Sequence, residues 1–182
     1  MGLDMYAYKV PLPVVEKYVR HLDDPVGDVT AYNFPARRAA RYFSGFTDKS
    51  DAELSLMTTN DREAYWSSLM KADKLAHESG CIDSQYHYWR KFNALHGWME
   101  DLWRERTGAG GAEVFNCATV RLFAEDIADL ANARDKDQLK PRSGFFFGAE
   151  TIYPEDLESL DSFLLKASKD VKDNAIFYDS WW

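Results

Sequence analysis

Residues 83–106, DSQYHYWRKFNALHGWMEDLWRER, decide how the rest of the chain is read. Tyr88, Phe92, Leu95, Met99, Leu102 and Trp103 recur at steps of three and four, the spacing of an apolar stripe on one side of a helix. A second row, Trp89, Asn93, His96 and Glu100, follows at steps of four, three and four. On one continuous helix it sets ring, amide, imidazole and carboxylate side by side at the edge of the buried face. The remaining side carries His87, Arg90, Ala94, Gly97, Asp101, Arg104 and Glu105. It is either solvated or covered by something that uses the close approach Gly97 permits. Asp83 or Ser84 can cap the start, and Gly108, Gly110 and Gly111 offer left-handed positions at the end. The spacing thus predicts a single central helix over 83–106.

Towards the N-terminus, Leu3, Met5 and Ala7 alternate with Asp4, Tyr6 and Tyr8, the period of a half-buried strand. Asp4 stands among rings, so it is either an exposed charge or the partner of Arg90, His96 or a ligand. Pro11 and Pro13 end the strand, and VVEKYVRHL can form a short helix before Asp23-Asp24-Pro25. Asn33 can start a helix through ARRAARYF, whose Arg37, Arg38 and Arg41 are either a solvated face or a phosphate site. Ser50 and Glu53 have capping-box spacing, and a longer helix is expected over 61–79 with Gly80 as its stop. Residues 10–80 therefore read as a mostly helical insertion after the first strand.

Beyond the glycines, Val114 to Leu122 alternates like a strand, and residues 124–135 form a helix with Ile127, Leu130 and Ala131 inward. SGFFFG at 143–148 reads as a short strand between glycines. Pro154 opens a further helix, with Leu157, Leu160, Leu164, Ala167 and Val171 repeating along it. AIFYDSWW closes the chain as a final strand. Residues 83–182 then form a helix-strand-helix-strand-helix-strand unit. The expected class is α+β in one domain, 1–182: a small sheet packed against the long central helix and further helices, or α/β if neighbouring strands are parallel.

With 46% apolar residues in 182, the chain can bury one sizeable core. A net charge of −8 opposes a main role in coating nucleic acid, which needs a basic face. Cys81 and Cys117 have no paired spacing for a disulfide framework or zinc site, which suits a reducing compartment. No apolar run approaches the ~20 residues of a membrane span. A soluble cytoplasmic protein is expected, with no metal and no cofactor.

MGLDMY at the start, YWRKFNALHGW at 88–98, SGFFFG and the terminal FYDSWW together resemble a family of uncharacterised proteins encoded by phages and prophages. The likeness covers the first strand and most of residues 86–182. Where members usually read YWRKANAIHKWF, this chain has Phe92 and Gly97, leaving Trp89, Arg90, Lys91, Asn93, His96 and Trp98 matched. The kinase label such members carry is not expected to apply, because no glycine-rich loop with a phosphate-binding Lys and Ser/Thr is present. The resemblance implies a phage-type accessory protein, acting in the host cytoplasm.

Asp4, Trp89, Arg90, Asn93, His96 and Glu100 are the candidate ligand-binding residues, and Trp89, Asn93, His96 and Glu100 are expected to border one cavity shared with Asp4 or the terminal FYDSWW. Three uses are open. An acidic, ring-rich protein can block the basic nucleic-acid groove of a host defence protein, in the manner of an anti-CRISPR. A nucleotide signal can stack on Trp89 with phosphate on Arg90 or Lys91. His96 with Glu100 can carry acid–base chemistry, although no nucleophile, HExxH or paired-cysteine motif accompanies them.

Overall fold

The computed structural model describes residues 2–21, 49, 51–78, 83–111, 114–144 and 147–182. The elements run β1 (Asp4–Pro11), α1 (Leu12–His21), α2 (Asp51–Ser55), α3 (Thr59–Glu78), β2 (Asp83–Arg90), α4 (Asn93–Thr107), β3 (Val120–Leu122), α5 (Ala124–Asp135), α6 (Pro154–Asp170) and β4 (Asn174–Trp181). Arg37, Arg38 and Arg41, the helix expected around them, Ser50 and Cys81 lie outside the described residues.

The fold is α+β. One four-stranded sheet has the order β2-β1-β4-β3, and every neighbouring pair is antiparallel, which removes the α/β alternative. Strand β1 is central because its alternation supplies a fully apolar side: Leu3, Met5 and Ala7 are completely buried. Across the sheet Met5 lies between Trp89 and Ser180, and Ala7 between His87 and Tyr178. Leu95 and Met99 of α4, Ile127 and Leu130 of α5, and Leu160 and Phe163 of α6 join the same core. The Phe163 ring meets Trp89 edge-on at 4.9 Å, and burying such a side chain is worth about 2–3 kcal/mol.

The central helix is shorter than its spacing predicts. Residues 83–90 form the edge strand β2, paired with β1 from Asp4↔Arg90 to Lys9↔Asp83, and only Asn93 onward is helical. The same residues fit both periods, since His87 and Trp89 alternate with Tyr88 and Arg90 as well as matching helical steps. Their aromatic content favours a pleated, half-buried surface, and β1 pairs with them. Lys91 makes the corner with φ 59°, left-handed backbone that neither Gly nor Pro marks in the sequence. The unit from 83 onward therefore begins with a strand.

Two further expectations change. Only Val120–Leu122 of the stretch 114–122 joins the sheet. The described residues of SGFFFG, 143–144 and 147–148, are not strand but part of a strap, residues 138–144 and 147–152, that lies between α5 and α6 beside α4. The expectations for residues 124–135, Pro154 onward and 175–181 hold, because each has its own periodicity and an element-ending residue.

Candidate functional site

Asn93 and His96 share one side of α4, and the strap covers them. The Asn93 side-chain amide donates to the Ala149 carbonyl at 2.6 Å. The His96 ring is 1% exposed and shares a 3.0 Å hydrogen bond through Nδ1 with the Tyr178 hydroxyl. Phe115 stacks on one side of it at 5.4 Å, and Phe147 of the strap meets it edge-on at 4.9 Å. Burial lowers the imidazole to a pKa of about 4, with Glu100 opposing that shift and Arg142 adding to it. His96 is thus a neutral imidazole that joins α4 to β4.

Glu100 accepts from Arg104, at 3.0 Å from Nε and 2.6 Å from Nη2, and from Arg142 Nη1 at 2.9 Å. It orients two guanidinium groups rather than the imidazole. Arg142 also pairs with Asp101, and its side chain crosses α4 over Gly97, where an added Cβ would come within 2.8 Å of Arg142 Cδ and Nε. The close approach read from Gly97 is therefore made by the strap.

Asp4 and Arg90 meet across β1 and β2, with Arg90 Nε 3.8 Å from Asp4 Oδ1, and the Tyr88 hydroxyl donates to the same oxygen at 2.5 Å. That hydrogen bond, with burial and the Asp4 charge behind it, pushes the Tyr88 phenol up to about 12. Trp89 points to the opposite side of the sheet. It is 4% exposed, with His87 at 4.3 Å and Phe163 at 4.9 Å, so neither ring face is available for stacking on a base.

Among the described residues Trp89, Asn93, His96 and Glu100 therefore do not border one cavity, and the six candidates are dispersed. They separate into the Asp4–Arg90 cross-strand pair, buried Trp89, the Asn93–His96 seat for the strap, and the Glu100–Arg142 clamp. The reason is the change of backbone at Lys91: a strand before it and a helix after it turn residues 89 and 93 to different surroundings.

Two clefts among the described residues lie beside α4. One, of about 380 Å³, runs between α4 and the strap and is lined by Ala94, Gly97, Trp98, Asp101 and residues 138–142. The other, of about 410 Å³, lies between α4 and α5 and is lined by Trp98, Asp101, Leu102, Glu105, Arg106, Asp126 and Asp129. Four carboxylates face one guanidinium in this second cleft. That guanidinium, Arg106, is taken by Asp126 at 2.5 Å, while Asp126 also accepts the Phe123 backbone N–H at 2.7 Å and so starts α5. Asp101 is balanced by Arg142, which leaves Glu105 and Asp129 exposed without a paired cation among the described residues. Half-buried Trp98 borders both clefts.

Asp101 and Glu105 were legible as one exposed helical side, at a spacing of four. Asp129 and Arg142 were not, because their positions opposite that side are set by packing. The described residues contain no grouping of His, Cys, Asp and Glu suited to a metal ion, and no helix long and apolar enough to cross a membrane. No family model, curated protein or solved structure matches the chain.

Proposed function

We propose that this protein is an acidic binder that occupies the basic, nucleic-acid-binding surface of a host defence protein, as a counter-defence factor of the anti-CRISPR kind. The observation that carries this reading is the cleft between α4 and α5, which Asp101, Glu105 and Asp129 line together with Trp98. Carboxylates in such a recess attract arginine and lysine side chains that otherwise hold phosphates. An indole at its edge adds a cation–π surface for a guanidinium. The acid–base alternative has less support, because the His96 ring is enclosed by Phe115, Phe147 and Tyr178 and Glu100 is committed to two arginines. The nucleotide alternative loses its stacking surface with Trp89 buried.

The test is a gel-shift competition with purified CRISPR effector complexes and their target DNA, alongside affinity capture from host cells. Wild-type protein is expected to displace the DNA, less effectively as salt rises. The double substitution Glu105→Lys/Asp129→Lys is expected to abolish displacement with the fold intact. No displacement together with no stable captured partner would contradict the proposal.

A further inference from the structure

Strand β2 ends the sheet, and the direction of its backbone groups follows from one bond. The Lys91 N–H donates to the Leu3 carbonyl at 2.8 Å, so Leu3 and Lys91 are a hydrogen-bonded pair. In an antiparallel ladder bonded and non-bonded pairs alternate, which makes Asp4↔Arg90 and Tyr6↔Tyr88 non-bonded pairs. The N–H and C=O of Tyr88 and Arg90 therefore point away from β1. Past Ala7↔His87 the register shifts and the alternation stops, and in that irregular part the Lys166 ammonium donates to the Tyr86 carbonyl. Among the described residues no backbone group meets Tyr88 or Arg90 there.

Edge strands are commonly guarded by a lysine, a proline or a bulge. Here the guard stands at Tyr86 and stops short of 88–90. The side chains at the open part are Tyr88, 48% exposed, Arg90, 60% exposed, and exposed Lys91. We infer that the outer edge of β2 at Tyr88 and Arg90 is a docking site for a short extended segment of a partner protein bearing acidic side chains. The segment would add as a further antiparallel strand, exchanging main-chain hydrogen bonds with both residues. A carboxylate opposite Arg90 and a β-branched or aromatic residue beside Tyr88 complete the match. Lys166 adds a positive charge beside the edge at Tyr86, in a protein of net charge −8.

A second copy fits this edge less well. Pairing centred on the two open residues would set two Arg90 guanidinium groups diagonally across the two-fold axis. The site is separate from the cleft at Trp98 and prefers a partner segment of the opposite charge.

The experiment uses the whole protein and a fluorescein-labelled peptide, Thr-Glu-Thr-Val-Thr-Glu-Thr-Val, which sets Glu and Val two residues apart on one face as Arg90 and Tyr88 require, read by anisotropy, with the Glu→Lys peptide as control. The acidic peptide is expected to bind and the lysine peptide not to. Tyr88→Pro removes an N–H that makes no bond to β1, but also the hydroxyl that donates to Asp4 and the ring beside Tyr6, so Tyr88→Ala is its control: the two should melt at similar temperatures, and Tyr88→Pro should bind the peptide about tenfold or more weakly than Tyr88→Ala. Arg90→Gln is expected to abolish the preference for the acidic peptide while leaving the backbone intact. Should Tyr88→Pro fail to fold, amide hydrogen exchange of the wild type decides: Tyr88 and Arg90 exchange fast alone and slowly with peptide, while Trp89 is protected throughout. Three results would overturn the inference: no binding at about millimolar peptide, open-edge amides already protected in the free protein, or self-association by sedimentation velocity that Tyr88→Pro abolishes.

Discussion

His96 titrates from about 6.5 when the chain is unfolded to about 4 when it is folded, because the enclosed ring cannot be charged without loss of solvation. Between those values the unfolded chain binds more protons, so the stabilising effect is complete above about 6.5 and is lost as pH falls towards 4. His87, half-buried and likewise lowered to about 4 by burial and Lys166, acts in the same direction with a smaller effect. Urea denaturation of wild type and His96→Gln at pH 7.5 and 4.5 should show the wild type losing about 2–3 kcal/mol more than the variant between the two. Gly97 offers a second test. Alanine favours a helix over glycine by about 1 kcal/mol, yet here its methyl group meets Arg142 at 2.8 Å. Gly97→Ala should therefore destabilise the wild type by about 1–2 kcal/mol and stabilise an Arg142→Ala background by about 1 kcal/mol, a sign change measurable in a double-mutant cycle.

At the scale of elements, the corner between β2 and α4 and the strap beside it set the geometry. Lys91 holds a left-handed conformation at φ 59°, so Lys91→Gly should raise stability by up to about 1 kcal/mol, read as a higher urea midpoint. Asn93→Ala leaves the Ala149 carbonyl without its donor and should cost about 1–2 kcal/mol, with faster amide exchange in residues 147–152 than elsewhere. The same corner explains what the sequence could and could not tell. β1, α5, α6 and β4 were legible because alternation or helical spacing was bounded by Pro, Gly or polar turns. Residues 83–90 were not, since DSQYHYWR satisfies both periods and β1 on its neighbouring edge settles the choice. SGFFFG was read as a strand from its apolar run, but Phe147 packs on His96 and Trp182 instead. Of the six candidate residues, Arg90 was one of the partners open to Asp4, while the expected pairing of His96 with Glu100 gives way to Arg104 and Arg142; the strap that divides the others carries no local signal.

At the scale of the molecule, the polar row of α4 is used for cohesion, and the charged groups of the cleft lie at the surface. The row Asn93, His96, Glu100 fastens the strap and β4 to α4, while Glu105, Asp129 and Trp98 open onto a cleft. Binding through that cleft depends on screened charges, so affinity for a basic partner should fall steeply with ionic strength, by fluorescence titration between low and physiological salt. The most direct measurement compares two folded variants in one DNA-displacement assay, Glu105→Lys/Asp129→Lys and His96→Gln, with each fold confirmed by circular dichroism. The predicted result is loss of displacement in the first and near wild-type displacement in the second; displacement retained by the cleft variant and lost with His96→Gln would contradict it.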